Sequence, residues 1–497
     1  MSQDRFSPEE FGAAYQRFME WAAGEYTREY TRERSPFKTL LSEHFGADPG
    51  TFPVTGTPVP QYDLPNLQLA LDGYLERPGV VHELVGFGGH LGYAEMSLSG
   101  LVHDQGFGIS VGPVRRTVVD LDAGRSISCV NAGLFLISAG EVRLAAMVMR
   151  GQRGWDEPDL RVEVIAPEQQ GGERFLSDLR ELMREKNVYR GKVLAFSGGD
   201  AMRGQGMSVE FPRVEPVGRE AIVLPEGVLD VIELHTLEFA RHSEKLQRGG
   251  RHLRRGLLLH GPPGTGKTLS AEYLISRLEG RTVIILTGSA LGLIGEACSI
   301  ARELQPAMVV LEDIDLVAQE RTMENSPTSL LFQLLNEMDG IGEDADVIFL
   351  MTTNRADLLE PALAARPGRV DQAVELPLPD EEARARLLSL FGSGLDLRLE
   401  DEGAVVAATA GVSPAFLREL VRKAALQAAV AGSDRVEDAH FSAALALLES
   451  GGPITRAMLG ADGGEAARRL GPHDMGGGVV WESGGVRRVV AEAIDDP

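Results

Sequence analysis

The sequence has few cysteines and a shortage of basic residues. Only Cys129 and Cys298 occur in 497 residues, so neither a disulfide framework nor a cysteine-rich zinc site is available, and a reducing cytoplasm is the expected location. Lysine and arginine number 49 against 73 acidic residues, which gives a net charge of −24. Because nucleic-acid binding draws most of its affinity from clustered basic residues, no nucleic-acid partner is expected.

Long apolar runs are missing as well. The first residues, MSQDRFSPEE, contain no basic region followed by an apolar stretch, and no uncharged apolar run reaches the roughly 20 residues of a membrane-spanning helix. A soluble protein without a membrane span is therefore predicted. The zinc-protease pattern His-Glu-x-x-His is also missing, because HELVG at 82–86 ends in glycine where the second histidine would stand.

Composition shifts predict two segments in the N-terminal part of the chain. A helical segment is expected over residues 1–60, with a helix that starts near Ser7 and runs to about Glu29. Within it, the Pro- and Gly-rich stretch GADPGTFPVTGTPVP at 46–60 predicts a linker. Short β-rich runs and one amphipathic helix then predict an α+β domain over 61–218, whose role the sequence does not reveal.

The rest of the chain divides into three segments. In residues 219–380 strands and helices alternate, which predicts an α/β domain with a parallel sheet and ligand sites at the carboxyl ends of its strands. Helices without strands follow, and one helix capped by Ser413 and closed by Gly432 predicts a helical lobe over 381–450. The glycine-rich acidic tail, 451–497, is predicted to be partly disordered.

The strongest functional signal is GPPGTGKT at Gly261–Thr268, which has the spacing of a phosphate-binding loop between an apolar strand and a helix. Its glycines let the backbone amides face phosphates at a helix N-terminus, whereas a chance glycine loop would not need those flanking elements. Lys267 is expected to reach the β and γ phosphates, and Thr268 to ligate Mg²⁺. The predicted nucleotide-binding residues are Gly261, Pro262, Pro263, Gly264, Thr265, Gly266, Lys267, Thr268 and Leu269.

Acidic residues follow the next apolar strand, in MVVLEDID. A magnesium phosphate site needs one carboxylate for the metal and a base for the attacking water. Glu312, Asp313 and Asp315 in this segment are the candidates for these two roles. The alternative is an acidic helix cap after an ordinary buried strand.

Two further groups complete the candidate catalytic set. Asn354 ends the apolar strand DVIFLMTTN, where it could orient the attacking water, although asparagine also ends strands in ordinary turns. Arg366 and Arg369 follow in PALAARPGRVDQ. An arginine that faces another subunit's γ-phosphate would stabilise transition-state charge, but exposed arginines are also commonplace.

In this combination the sequence resembles the AAA ATPases of the AAA+ superfamily. The phosphate loop, the carboxylate strand, LLNEMDG at 334–340, TTN, ARPGRVD and LPD at 378–380 occur in that family's order, over about residues 219–450. The resemblance implies a P-loop α/β module with a helical lid. It also implies a homo-oligomeric ring, usually a hexamer, that binds ATP and Mg²⁺ and hydrolyses ATP.

The same resemblance assigns roles to individual residues. It makes Asn354 a sensor of the nucleotide and places residues 411–415 of the lid near it. It makes Arg366 and Arg369 arginine fingers, which act on the ATP bound to the neighbouring subunit.

Three positions depart from the family pattern. Glu312 and Asp313 reverse the usual Asp-Glu order, as in mitochondrial inner-membrane AAA chaperones. By this resemblance Glu312 is expected to hold Mg²⁺ through its water shell, Asp313 to polarise the attacking water, and Asp315 to be structural. The base is one methylene shorter than usual, so slow turnover is expected unless the longer Glu312 shifts the metal to compensate. Leu293 and Ile294 stand where the family often presents an aromatic residue to the pore, and core packing is the alternative for both. Pro414 replaces a lid glycine, from which only a local change is expected.

Two functions from different classes fit these observations. The first is an ATP-driven ring that remodels or unfolds a protein recognised by residues 1–218. The alternative is an ATP-gated scaffold or switch, with slow hydrolysis and no threading activity.

Overall fold

The computed structural model describes residues 15, 17–18, 36–89, 96–103, 109–150, 160–197, 207–315, 330–342, 344–357 and 370–450. Its contacts divide the chain into two units, one of residues 1–213 with 280–309 and one of residues 214–279 with 310–497. Most of the helix predicted near Ser7 and all of the tail predicted from residue 451 lie outside the described residues.

The described helices alternate with the strands along most of the chain. The α-helices are α1 Pro36–Phe45, α2 Leu64–Leu75, α3 Leu98–Val102, α4 Gln169–Glu185, α5 Val228–Glu233, α6 Phe239–Arg241, α7 Ser243–Arg248, α8 Lys267–Arg277, α9 Ile294–Glu303, α10 Leu330–Gly340, α11 Glu381–Phe391, α12 Glu402–Ala408, α13 Pro414–Val430 and α14 Asp438–Ser450. Short 3-10 helices cover Pro49–Thr51, Gln61–Asp63, Asp122–Gly124, Arg219–Ala221 and Gly288–Leu293, and a π-helix covers Leu234–Glu238.

The described strands are mostly short. They are β1 Val54–Val59, β2 Val80–Gly89, β3 Ile109–Gly112, β4 Arg115–Asp120, β5 Ser126–Ala139, β6 Val142–Arg150, β7 Leu160–Ile165, β8 Val193–Ser197, β9 Ser208–Glu210, β10 Arg255–His260, β11 Thr282–Leu286, β12 Ala307–Leu311, β13 Val347–Thr353, β14 Gln372–Glu375, β15 Asp396–Arg398 and β16 Arg435–Glu437. Within the described residues, no helix has the length and apolar character to cross a bilayer.

The first unit contains an antiparallel sheet with the strand order β1-β7-β6-β5-β2-β3, and β4 pairs with β5. Helices cover both of its faces. Phe135 and Ile137 of β5 lie in one core with α2 and α4, whereas Leu134 and Leu136 lie in a second core with α1 and α3. Because successive side chains of a strand point to opposite faces, burial on both sides explains the continuous apolar run in β5. Strands β4, β5, β6 and β7 lie in the part of the chain where short β-rich runs are expected.

The linker predicted over residues 46–60 is wrong in its second half. Val54–Val59 forms β1, which pairs antiparallel with β7 in the register Val54↔Ile165 to Val59↔Leu160. The Pro and Gly content of this stretch indicated a loop. Because β1 is at the edge of the sheet, Pro58 can occupy it without removing a hydrogen bond from a central ladder.

A parallel part of the first unit joins strands that are distant in sequence. β8 pairs in parallel with β11, in the register Val193↔Val283, and β9 pairs antiparallel with β8. A strand assigned from sequence to the α+β domain therefore lies beside one assigned to the α/β domain. The predicted domain boundaries stay predictions.

The second unit contains the strands that carry the candidate site. Within it the strand order is β14-β10-β13, and β10 is parallel to both β13 and β14. β13 is buried along its whole length, as expected for a central strand of a parallel sheet. In the register of β10 and β13, His260 is opposite Thr353, so the residues after these two strands begin at the same edge of the sheet.

Four helices of the second unit, α11 to α14, lie in the segment predicted to form the helical lobe. Ser413 caps α13 by accepting a hydrogen bond from the backbone N–H of Phe416, and Gly432 follows the helix with a φ of 72°. The expectation that strands end before this lobe is wrong, because β15 and β16 pair in parallel there. Strands of three residues are too short to give a detectable hydrophobic alternation.

Two leucines of α13 give a direct measure of packing in the lobe. Leu417 is 0% exposed and lies in the lobe's core, whereas Leu426 of the same helix is 58% exposed. We expect Leu417→Ala to lower the free energy of lobe opening by about 2–5 kcal/mol, because it leaves a cavity. The matched control Leu426→Ala should change it by less than ~0.5 kcal/mol. Native-state hydrogen exchange of the α13 amides measures both, and equal losses would contradict the packing described.

Candidate functional site

The loop after β10 is shaped by glycines that approach other backbone segments closely. Gly261 has a φ of 148°, and a Cβ atom there would lie 2.2 Å from the carbonyl oxygen of Leu376. Gly264 has a φ of 76°, and a Cβ atom there would lie 2.8 Å from Oγ of Ser413. Positive φ and the lack of space both require glycine. The loop can therefore wrap tightly before α8 begins at Lys267.

The N-terminus of α13 lies against this loop. The backbone N–H of Ala415 donates a hydrogen bond to the carbonyl of Gly264, with an N–O distance of 3.2 Å. Pro414 occupies the first turn of the helix, where its missing N–H costs no helical hydrogen bond. The lid stretch predicted from the family resemblance thus adjoins the phosphate loop.

Lys267 is buried, with 6% of its surface exposed. Its Nζ donates to the carbonyl oxygens of Gly261 and Pro262, both at 2.9 Å. Burial lowers the pKa of Lys267 to about 8, and the charges of Asp313 and Asp315 partly oppose that shift. The ammonium group is therefore largely shielded from solvent and is hydrogen-bonded to two backbone carbonyls. An anion brought to the loop would stabilise its charged form.

Thr268 and Glu312 are brought together as the sequence predicted. The Thr268 hydroxyl is hydrogen-bonded to the Glu312 carboxylate, which lowers the pKa of that carboxyl. Burial and the nearby charge of Asp313 outweigh this effect and raise the pKa of Glu312 above its usual value. A hydroxyl and a carboxylate are oxygen donors of the kind that Mg²⁺ prefers, so these two residues fit the metal expected with ATP.

Asp313 and Asn354 also meet, at the ends of the neighbouring strands β12 and β13. Asn354 Nδ2 donates to Asp313 Oδ1 at 3.1 Å. Partial burial, with the charge of Asp315 adding to it, raises the pKa of Asp313. A carboxylate whose pKa is raised toward neutrality holds a proton more strongly, so it is a better general base.

Asp315 connects the two strand ends through one buried oxygen. Its Oδ1 accepts from Thr353 Oγ1 at 2.9 Å and from the backbone N–H of Asn354 at 3.1 Å, and the residue is 5% exposed. These contacts agree with the structural role expected for it. Sequence reasoning missed Thr352, whose hydroxyl accepts a hydrogen bond from the backbone N–H of Asp313, because no motif marks this contact.

The remaining sequence candidates are the two arginines, the two pore candidates and the HELVG segment. Arg366 and Arg369 lie outside the described residues. Ile294, considered for the pore, is 1% exposed at the start of α9, and Leu293 is half-buried beside it, so the core-packing alternative holds for Ile294. The segment HELVG lies in β2, whereas a zinc-protease motif requires a helix.

Comparison with known proteins identifies similar chains. Residues 257–378 match the family model described as "ATPase family associated with various cellular activities (AAA)". The 26S proteasome regulatory subunit 10B of Dictyostelium discoideum is 34% identical over 286 residues, which are 54% of this chain and 68% of that protein.

Two further relatives match over a smaller share of their length. The 26S proteasome regulatory subunit S10B homolog B of Arabidopsis thaliana is 35% identical over 205 residues, which are 38% of this chain and 51% of that protein. The ATP-dependent zinc metalloprotease FtsH 3 of Sphaerobacter thermophilus is 34% identical over 256 residues, which are 49% of this chain and 52% of that protein. The chain thus spans about half the length of these two relatives.

The lowered pKa of Lys267 predicts how nucleotide affinity depends on pH. Below pH 8 the side chain is charged and can pair with phosphate, whereas above its pKa of about 8 the free protein loses this charge. We expect the affinity for a non-hydrolysable ATP analogue to fall by about tenfold per pH unit above pH 8, until the pKa of the bound form is reached.

Calorimetric titration between pH 7.5 and 9.5 measures this dependence. The control variant Lys267→Met should bind more weakly and without the decline above pH 8. A decline that persists in the methionine variant would assign the effect to another group.

Proposed function

Because the chain belongs to the AAA family of ATPases, we propose that it binds and hydrolyses Mg-ATP at the site formed by the phosphate loop and the ends of β12 and β13. The observation that carries this proposal is the 3.1 Å hydrogen bond between the Asn354 amide and the Asp313 carboxylate. This hydrogen bond joins the amide proposed to orient the water to the carboxylate proposed as the base, at the strand ends beside the phosphate loop.

The loop and the adjoining carboxylate hold the nucleotide and the metal. The backbone amides of Gly261–Thr268 and the side chain of Lys267 bind the phosphates, and Leu269 continues the contact into α8. Thr268 would ligate Mg²⁺, and Glu312 would hold it through its water shell. When bound, Mg²⁺ offsets negative charge on the phosphates.

Asp313 is the base in this proposal. It accepts a proton from the attacking water, while Asn354 fixes the carboxylate on one side and orients the water. The Asp313 carboxylate is one methylene shorter than the glutamate that most relatives of this type use at the same place. Catalysis therefore depends on where the backbone holds Asp313.

Arg366 and Arg369 complete the site from a neighbouring subunit. This part of the proposal rests on the family resemblance of ARPGRVD. The assembly is a homo-oligomeric ring, usually a hexamer in this family, so each ATP is hydrolysed between two subunits. Arginine fingers typically supply about 10³ to 10⁵ in rate, so an isolated subunit should be almost inactive.

The cycle of binding and hydrolysis acts on a protein substrate recognised by residues 1–218. Two relatives are named as proteasome regulatory subunits and a third as an ATP-dependent metalloprotease, and these names support a protein as the substrate. The contact of α13 with Gly264 gives the lid a direct route for sensing the loop. The cytoplasm stays a prediction for its location.

A second candidate function is favoured by the position of Ile294. Because Ile294 is buried rather than presented to solvent, it is not available to grip a threaded chain in the described conformation. An ATP-gated scaffold would bind ATP, assemble and hydrolyse slowly without threading. An assay with a fluorescent unfolded protein separates the two functions, since only the remodelling ring should move it.

The catalytic assignment is tested by steady-state ATP turnover across protein concentration. We expect wild-type turnover per subunit to rise as the ring assembles. Asp313→Asn and Arg369→Ala should each lower it by about 10³-fold or more while ATP-analogue binding persists. Arg355→Ala is the control, because this arginine pairs with Asp357 within its own loop. Full turnover by either of the first two variants would contradict the assignment of the mutated residue.

A further inference from the structure

Asp313 has an unusual backbone conformation. Its φ is 51°, in the left-handed region, where Ala123 is the other non-glycine residue among those that the structure describes. A side chain in this region is disfavoured sterically, and such a conformation persists only when surrounding contacts enforce it. The contacts of Asp313 therefore decide whether the proposed base stays in place.

Thr352 of β13 makes the contacts that enforce this conformation. Its side-chain Oγ1 accepts a hydrogen bond from the backbone N–H of Asp313 at 3.0 Å. Its carbonyl oxygen accepts from the backbone N–H of the next residue, Ile314, also at 3.0 Å. Two consecutive peptide groups after β12 are thus fixed to a single residue of β13.

The residue that follows β13 contacts the side chain of Asp313. Two residues after Thr352, the side chain of Asn354 donates to the Asp313 carboxylate. An aspartate has one fewer rotatable bond than a glutamate, so its carboxylate position follows more directly from the position and orientation of its backbone. Fixing the main chain of Asp313 therefore also fixes the place at which its carboxylate can meet a water molecule.

We propose that Thr352 is a positioning residue for ATP hydrolysis, whose hydroxyl holds Asp313 in the left-handed conformation that brings the short carboxylate to the attacking water. This inference rests on the proposed role of Asp313 as base. Thr352 acts through Asp313 and touches neither nucleotide nor water in this proposal.

The burial of Thr352 argues that its hydroxyl, rather than its shape, is what the site uses. The residue is 1% exposed within a strand whose other positions are largely apolar. Valine has almost the same shape and suits a buried strand equally well, whereas a buried hydroxyl costs free energy unless it is hydrogen-bonded. The hydrogen bond from Asp313 supplies that partner.

The test compares Thr352→Val with Thr352→Ser in the full chain. Valine keeps the shape and removes the acceptor, whereas serine keeps the acceptor and removes a methyl group. We expect Thr352→Val to lower kcat by about 10- to 100-fold, because displacing a reacting group by about 1 Å can cost 10²-fold in rate. The dissociation constant of a non-hydrolysable ATP analogue should change by less than ~3-fold, because the phosphate loop is intact, and Thr352→Ser should retain kcat within ~3-fold.

A double variant links the effect to Asp313. Adding Thr352→Val to Asp313→Asn should lower turnover no further, because the positioned carboxylate is already absent. If the valine variant also loses analogue binding, Thr352→Ala removes the same hydroxyl with less bulk and replaces it in the comparison.

Two results would overturn the inference. One is a kcat for Thr352→Val within twofold of wild type, and the other is an equal loss of kcat in the serine and valine variants, which would assign the role to packing of the methyl group. Failure of the base assignment is distinguishable, because Asp313→Asn would then retain turnover. An inactive Asp313→Asn beside a fully active Thr352→Val would reject the positioning role alone.

Discussion

The candidate site depends on one buried carboxylate oxygen that ties two strand ends together. Oδ1 of Asp315 accepts from the hydroxyl of Thr353 and from the backbone N–H of Asn354, so the end of β13 is fixed beside the segment that follows β12. Thr353 is also opposite His260, the last residue of β10. The phosphate loop begins at the next residue, so it starts at the same edge of the sheet. The phosphate loop, the Asn354 amide and the Asp313 carboxylate are thereby held on one edge of the parallel sheet, where ligands of this fold class bind.

The charged side chains of this site would be stabilised by a bound anion together with a bound cation. Burial raises the pKa of Glu312 and of Asp313 and lowers the pKa of Lys267, so each charged form is disfavoured in the protein alone. Phosphate would stabilise the charged lysine, and a divalent cation would stabilise the carboxylates. Perturbed groups of opposite sign in one site are typical of functional sites rather than of surface ion pairs. The electrostatics and the loop geometry therefore support the same ligand.

The sequence predicted the parts of this site that have fixed spacing. The phosphate loop and the carboxylate pair follow motifs, and the meeting of Asp313 with Asn354 follows from the edge that parallel strands share. The role of Thr352 could not be predicted, because it depends on the backbone φ of Asp313, which tertiary contacts impose. Strand β1 was missed because its proline argues against a central strand. An edge strand tolerates a proline, but the sequence does not show that β1 is at an edge. Burial of Ile294 was likewise undecided from sequence, since an aliphatic residue suits both a core and a pore.

The central claim is that a complete site combines Asp313 of one subunit with an arginine of the next, and mixing two inactive variants tests it most directly. Asp313→Asn subunits keep the arginines, and Arg369→Ala subunits keep the base. In a randomly mixed 1:1 ring, roughly a quarter of the interfaces would pair an intact base with an intact arginine, so turnover should rise to about that share of wild type. A mixture as inactive as either variant alone, although shown to co-assemble, would contradict the composite site.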